Sequence, residues 1–513
     1  MRARHRCTAC RGRTGWFSSP RGGGSAPRSR SRLAGTLART AAAALALLLS
    51  VGCGSGDTPP PTDGGNNGGN TQTDAEFLSE VEERTFRWFW ETTNPANGLV
   101  PDRWPTPSFS STAAVGFGLT SYVVGAERGW VTRAEARDRT LATLRFLWTA
   151  PQGAATSEVT GYRGFFYHFL DMSTGRRFGQ TELSTIDTGL LMMGVLAAGQ
   201  YFSGADAAEA EVRTLAESLY RRVEWDWAVA RPPAISMGWQ PGTGFLPYDY
   251  DGYNEAMLLY LLALGSPTHP VAPEAWTEYT SSYRWVEFQG QPHVNFGPLF
   301  GHQYSHAWVD FRGIRDEYMR ARGIDYFENS RRATLAQQSY AIQNPNGWQG
   351  YSAKIWGLTA SDGPGDFSAI VGSRNREFHA YWARAAAAGE IRDDGTIAPT
   401  AVGGSIPFAP EITIPALRAM RDGTGGNLYA KYGFKDAFNL SITQPGLATR
   451  GTTVPGVGWF NTDYLGIDQG PIVLMIENHR SGLVWGLMRE NPHLVRGLCR
   501  AGFTGGWIEG KCV

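Results

Sequence analysis

Six times along this chain a short cluster of acidic or polar residues, rich in Gly, Trp or Tyr, runs directly into an apolar helical stretch. Two of these junctions, GYNEAMLLYLLALG (252–265) and GIDQGPIVLMIENHRSG (466–482), carry isolated carboxylates where the apolar stretch begins. A helix that is apolar on nearly every side must be enclosed by other elements. The repetition therefore predicts a ring of helices whose ends together line one acidic, aromatic cleft.

Helical patterning dominates from Asp74 onward, over 74–93, 112–129, 132–150, 182–202, 208–225, the segment after Tyr253, 302–323, 327–343, 376–389, 410–423 and the stretch after Gly466. The stretches starting at 112, 182, 252 and 466 are apolar nearly all round and contain Gly, whereas those at 132 and 208 have charged faces. Roughly eleven or twelve helices alternating in this way predict an all-α fold, an (α/α)6 toroid with an inner ring wrapped by an outer one. The segment 158–178, EVTGYRGFFYHFLDMSTGRRF, breaks the pattern with alternating aromatics and a Met172-Ser173-Thr174-Gly175 turn, and predicts a short β-hairpin on the rim.

Residues 1–52 read as a signal peptide of lipoprotein type: ten Arg and no acid precede the apolar run TAAAALALLLSVG (40–52). That run is too short to span a bilayer of about 30 Å. Leu49-Ser50-Val51-Gly52-Cys53 resembles a bacterial lipoprotein cleavage box, so Cys53 is the expected lipid anchor, with an ordinary cleaved signal as the alternative. Residues 53–73 are Gly-, Pro- and Asn-rich and read as a flexible tether, leaving 74–513 as one catalytic-size domain. The expected location is an exported protein held on a bacterial membrane, periplasmic or at the cell surface.

Beyond residue 52 lie 37 of the 47 Lys and Arg but all 47 Asp and Glu, a net charge of about −10. An acidic domain in a chain with 18 Trp favours stacking over phosphate contacts and excludes nucleic acid as a partner. A monomer is favoured. Cys499 and Cys512 are the two cysteines left in the folded part; they can close a small C-terminal loop or stay as free thiols.

The carboxylates carry the chemistry. Glu255 is expected in the first turn of an apolar helix, where burial would raise its pKa and suit a general acid, although capping of the helix explains the position equally well. Asp468, three residues before Pro471, is expected at or just before an N-cap, with Trp459 and Asp463 nearby. Glu182 and Asp187 would point about 140° apart on one helix, so Glu182 is expected to precede the helix and Asp187 to lie inside it, with Asp171 on the preceding hairpin. His302, His306 and Asp310 recur at four-residue spacing, but Gln303 stands where a metalloprotease has its Glu, so no metal is expected. The loop Asp362–Asp366 and Arg331-Arg332 are expected to be rim structure, and Asp393-Asp394-Gly395-Thr396 a turn.

The motifs NPANGLVPDR (94–103), GYRGFFYHFLDMSTGRR (161–177), ELSTIDT (182–188), GYNEAM (252–257), PLFGHQYSHAWVDFRG (298–313), WGLTASDGPG (356–365), DDGTIAPTAVGGSIPFAPE (393–411) and GIDQGPIVLMIENHRSGLVW (466–485), in this order over about residues 76–507, resemble the bacterial glucoamylase-like domain that includes glycoside hydrolase family 144. The resemblance implies an (α/α)6 toroid hydrolysing β-1,2-glucan, endo-acting or sophorose-releasing, with inversion at the anomeric carbon. It implies Glu255 as general acid and Asp468 as base, with Asp171, Glu182 and Asp187 as supporting acids. Expected substrate contacts are Tyr253, Asn254, His302, Gln303, His306, Trp356 and Asp394, with no metal and no cofactor. Transglycosylation stays open. Two other classes compete: a surface glycan-binding lipoprotein without catalysis, and a polysaccharide lyase using His302, Tyr304 and His306 on uronic acids.

Overall fold

The computed structural model of this chain describes residues 72–512. The expected leader, Cys53 and nearly all of the tether lie outside the described residues. In chain order the helices are α1 (Asp74–Thr92), α2 (Thr112–Glu127), α3 (Arg133–Thr149), α4 (Thr185–Tyr201), α5 (Ala207–Arg221), α6 (Met257–Gly265) and α7 (Glu274–Ser281). There follow α8 (Glu317–Arg322), α9 (Tyr326–Gln343), α10 (Pro399–Gly403), α11 (Pro410–Thr424), α12 (Gly466–Arg480), α13 (Leu483–Arg489) and α14 (Pro492–Arg500). No described helix is long and apolar enough to cross a membrane.

Helix starts follow local chemistry. Thr73 and Thr132 open α1 and α3 with capping boxes, in which Glu76 and Glu135 reach back to the N-cap backbone. The apolar helices α2 and α4 are buried along most of their length and pack on each other, α2 also on α12, and α4 also on α6. Glycine sets how closely α2 and α4 approach: a Cβ on Gly116 would fall 2.3 Å from the Leu190 carbonyl oxygen, and one on Gly194 2.1 Å from that of Gly116. The amphipathic α1, α3, α5 and α14 cover this inner set, α1 on α12 and α2, α3 on α2, α5 on α4, and α14 on α6.

Two expected helices are not helical. Residues 302–323 form single 3-10 turns at Leu299–His302 and Ser305–Ala307 and then only the short α8. Residues 302–311 of this segment are buried, and their side chains serve other elements: the Gln303 amide donates to the Ala401 carbonyl (2.9 Å) and the Ser405 hydroxyl (2.8 Å). Residues 374–387 form strands Arg374–Phe378, Tyr381–Ala383 and Ala385–Ala387 instead of a helix. Their small alanines let the Arg384 and Ala386 backbone N–H groups reach the Thr359 and Gly297 carbonyls (3.2 and 3.4 Å), so tertiary pairing overrides alanine's helix preference.

Short strands join the helices throughout. The largest group is a five-stranded antiparallel sheet, Gly161–Tyr162, Phe165–Tyr167, Leu183–Ser184, Gly238–Gln240 and Gly244–Phe245, built from the two long connections α3–α4 and α5–α6. At the C-terminus Cys499 and Cys512 form a disulfide. Closing a loop of that size stabilises a fold by roughly 3 kcal/mol. Cys512→Ser is therefore expected to lower the unfolding free energy by about 2–3 kcal/mol in denaturant titrations, and addition of reductant should have the same effect on the wild-type protein.

Candidate active site

Glu255 lies two residues before α6 rather than in its first turn. The approach to it is held by side chains on both sides. Asn254 Oδ1 accepts from the Ala256 N–H (2.9 Å) and the Tyr279 hydroxyl (3.1 Å), while Tyr253 lies parallel to Tyr326 and against His302. Ser305 donates its hydroxyl to the Glu255 carbonyl (3.0 Å) and accepts from the Leu258 N–H (3.1 Å), taking one of the donors that α6 leaves unpaired at its start. Tyr253 and Asn254, expected as substrate contacts, are thus buried framework for the loop that carries Glu255. Among the described residues no cation is paired with the Glu255 carboxyl. Burial pushes its pKa up to about 7 against the pull of its own backbone N–H, and the charge of Asp187 adds to the rise.

Asp187 and Glu182 converge on a residue that the sequence reading passed over. His168 Nδ1 is 2.8 Å from Glu182 Oε1, and His168 Nε2 is 3.6 Å from Asp187 Oδ2. Glu182 precedes a two-residue strand and Asp187 sits in the first turn of α4, where Ser184 caps the helix and donates to the Asp187 carboxylate. Burial alone would favour neutral His168, but Asp187, Glu182 and Asp102 outweigh it and hold the imidazolium to about pH 9. The same cation lowers Glu182 despite burial, whereas burial keeps Asp187 raised. Because the folded pKa exceeds the unfolded 6.5, the stabilisation from His168 is complete below pH 6.5 and disappears as pH rises through about 9. Comparing His168→Gln with the wild type by denaturant unfolding should give a difference of at most about 3 kcal/mol at low pH that shrinks towards zero above the upper value.

A second acidic group surrounds Arg103. Its guanidinium pairs with Asp362, donates to Asp102 (3.1 Å) and stands 3.7 Å from Asp463. Asn461 Nδ2 bridges Asp362 (3.3 Å) and Asp436 (3.2 Å), and the Asp362 N–H donates to Asp436 (2.7 Å). Asp468 completes the group from the first turn of α12, inside the helix and not at its cap, which is Leu465. The carboxyls of Asp436 and Asp468 lie within hydrogen-bonding reach, and Asp436 Oδ1 and Asp468 Oδ2 have no other partner among the described residues. Burial and the nearby carboxylates push both upward.

The two acidic groups lie near one another. The Tyr304 hydroxyl, raised first by burial, feels the charges of Asp468, Glu255 and Asp187, and Asp102 acts on His168. Backbone contacts say the same: Tyr304 donates to the Ile467 carbonyl (3.1 Å) beside Asp468, while its neighbour Ser305 holds Glu255. Aromatic rings stand at the margins. Phe169 stacks 3.9 Å from His168 and joins Phe109 and the 42 % exposed Phe178, and the 38 % exposed Trp104 follows Arg103 and meets Tyr432 edge-on. Exposed rings beside buried carboxylates suit the apolar faces and hydroxyl edges of sugars.

Other expected contacts lie elsewhere. Asp171 accepts four hydrogen bonds from Ser173 and Thr174 in its own turn, which hold its pKa near 2 and make it a turn-former. His302, Gln303, His306 and Trp356 are fully enclosed, with His302 at the Phe296 carbonyl (3.1 Å) and His306 at Ser330 (3.1 Å). Asp394 forms a buried two-pronged pair with Arg384 (2.7 and 2.8 Å). Asp310 of the histidine face pairs with Arg312 and Arg489, and no group of three or more potential ligands among the described residues could hold a metal. The loop residue Asp362, expected on the rim, lies instead at the centre of the Arg103 group. His168, Asp102, Arg103 and Asp436 had one signal in the sequence, a charged side chain set in a run of aromatics and glycines, as in FFYHF, VPDRW and YGFKD.

The profile of the family described as "Putative glucoamylase" matches residues 247–492, which include Glu255 and Asp468. A solved "putative glucoamylase" from Bacteroides uniformis is 32 % identical, superposes with a TM-score of 0.72 and is matched over 85 % of this chain and 98 % of its own. The endo-β-1,2-glucanase of Chitinophaga pinensis, solved with sophorotriose and glucose, is 29 % identical with a TM-score of 0.72 over 85 % of this chain and 99 % of its own. The exo β-1,2-glucooligosaccharide sophorohydrolase of Parabacteroides distasonis is 31 % identical over 460 residues, 83 % of this chain, which spans 58 % of that relative's length. With relatives of about 30 % identity matched over nearly their whole length, the chain belongs to the bacterial glucoamylase-like family of glycoside hydrolase 144 type.

Proposed function

We propose that the protein hydrolyses β-1,2-glucan by an inverting acid–base mechanism. The observation that carries the reading is Glu255: a carboxyl without a cation partner among the described residues, held protonated near neutrality, near a second carboxyl pair in a chain related to β-1,2-glucan hydrolases. Glu255 donates its proton to the glycosidic oxygen as the bond breaks. On the other side of the sugar the Asp468–Asp436 pair, with one negative charge to spare, takes a proton from the attacking water. Inverting catalysis asks for carboxyls about 6.5–9.5 Å apart, which leaves room for that water. His168 fixes Glu182 and Asp187, and the charge of Asp187 raises Glu255, without taking part in proton transfer.

The helices would close into an (α/α)6 double ring. The packing of α2 on α4 and α12, of α4 on α6, and of α10 on α12 supports an inner circuit, with α1, α3, α5 and α14 outside it. Export with a lipid anchor at Cys53 belongs to the same proposal, and the Cys499–Cys512 disulfide supports an oxidising compartment.

The test is incubation of the purified protein with β-1,2-glucan, β-1,3-glucan, cellulose and starch, with products sized and their first anomeric form read by NMR. Short oligosaccharides released from β-1,2-glucan, appearing first as the α-anomer, are expected. Release from starch alone would overturn the substrate, and a β-anomer the inversion.

A further inference from the structure

Outside the acidic site a hollow of about 480 Å³ opens among Gln152, Tyr162, Arg163, Gly164, Arg222 and Glu224. It is built where the ends of α3 and α5 pass into the two long connections that return to α4 and α6, the helices that begin beside Asp187 and Glu255. One strand links the places: Gly164, which borders the hollow, precedes the strand Phe165–Tyr167, and His168 follows its other end, four residues and about 13 Å of extended chain away.

One turn at its edge is held by several contacts. Arg163 is one of four non-glycine residues with positive φ among the described residues (53°), a conformation that costs about 1 kcal/mol for a side chain of this kind. The turn is fixed there by three backbone contacts: the Gly164 N–H donates to Gln152 (2.7 Å), the Glu224 N–H donates to the Arg163 carbonyl (3.0 Å), and Gly164 lies so close to Arg222 that a Cβ would meet its carbonyl at 2.5 Å. The left-handed turn aims Arg163 at Glu224, with which it forms an ion pair, and over the rings of Tyr162 and Trp227 (5.3 and 5.4 Å). Arg222 lies 5.1 Å from the ring of Trp148, which is 43 % exposed and borders a second hollow of about 550 Å³.

We propose that this place is a peripheral saccharide-binding site that holds a remote stretch of the same glucan chain. The proposal rests on the glucan reading above. Aromatic faces stack on pyranose rings, and the Arg163–Glu224 pair offers donors and an acceptor side by side, which matches hydroxyl groups that both give and receive hydrogen bonds. A free anion would meet Glu224. A polymer bound here and at the acidic site gains by effective concentration, a benefit unavailable to a chain too short to reach both.

The test uses the full chain and the double variant Arg163→Gly/Trp148→Ala; glycine adopts the turn conformation at 163 without strain, and an unchanged melting temperature checks the fold. On β-1,2-glucan polymer KM should rise roughly three- to tenfold with kcat unchanged, while kcat/KM for the shortest oligosaccharide turned over stays the same. Equal polymer KM in both proteins, or an equal loss on both substrates, overturns the site. If neither protein hydrolyses either substrate, the catalytic reading fails on its own, and retardation in gels containing β-1,2-glucan decides this one. Weaker retardation of the double variant supports the site, and equal retardation overturns it.

Discussion

Glu255→Gln is expected to fold as the wild type does, to bind oligosaccharide, and to lose hydrolysis almost completely. The substitution keeps the shape of the side chain and removes the transferable proton. General acid catalysis contributes about 10²- to 10⁴-fold, and kcat should fall by at least that range. Fold retention follows from the surroundings: Asn254, Ser305 and Tyr279 hold the loop through backbone and their own side chains, without the Glu255 carboxyl. Titration gives a second reading of the same group. With Glu255 near 7 in the free protein, kcat/KM should decline as pH rises through that value, because the ionised form has no proton to give. Near-normal turnover by the glutamine variant, or an alkaline limb unrelated to its removal, would take the acid role from Glu255.

The second large effect is expected at the Asp468–Asp436 pair. Asp468→Asn removes one of the two carboxyls of the pair that would take the proton of the attacking water, and kcat should fall about 10²- to 10³-fold, in the range of lost general-base catalysis. Asp436→Asn should cost nearly as much, because Asp436 sets how the proton is divided, and the two losses should not add in the double variant. Single-turnover rates for both single variants and the double variant form the measuring cycle. Multiplicative losses would separate the two carboxyls and leave Asp436 as a spectator. Loss of secondary structure in the Asp468 variant is not expected, because the start of α12 is held by its backbone, with Thr400 donating to the Asp468 carbonyl (2.9 Å) and Tyr304 to that of Ile467 (3.1 Å).

The buried helices α2, α4, α6 and α12 were legible because a fully apolar stretch has few other places to go, and the capping residues Thr73 and Thr132 mark outer helices from four letters each. Glu182 before α4 and Asp187 within it were legible for the same reason, since turn geometry separates them. The segments 302–323 and 376–389 were misread as helices because their composition favours that state locally, while their conformation is set by partners such as Ala401, Thr359 and Gly297, distant in sequence. Trp356 and Asp394 looked like cleft residues because aromatic and acidic side chains are frequent there. Only packing could show that one lies in the core and the other neutralises Arg384.

By itself the sequence determined the helical repeat, the family and the two junctions that carry Glu255 and Asp468, because periodicity, caps and motif order are written in neighbouring residues. The tertiary structure alone decided that His168 ties Glu182 to Asp187, that Arg103 gathers Asp102, Asp362 and Asp463, and that Asp436 and Asp468 come within hydrogen-bonding reach of each other. The reason is physical: a carboxyl's protonation depends on water excluded and on charges within a few ångströms, and those charges come from stretches of chain hundreds of residues apart.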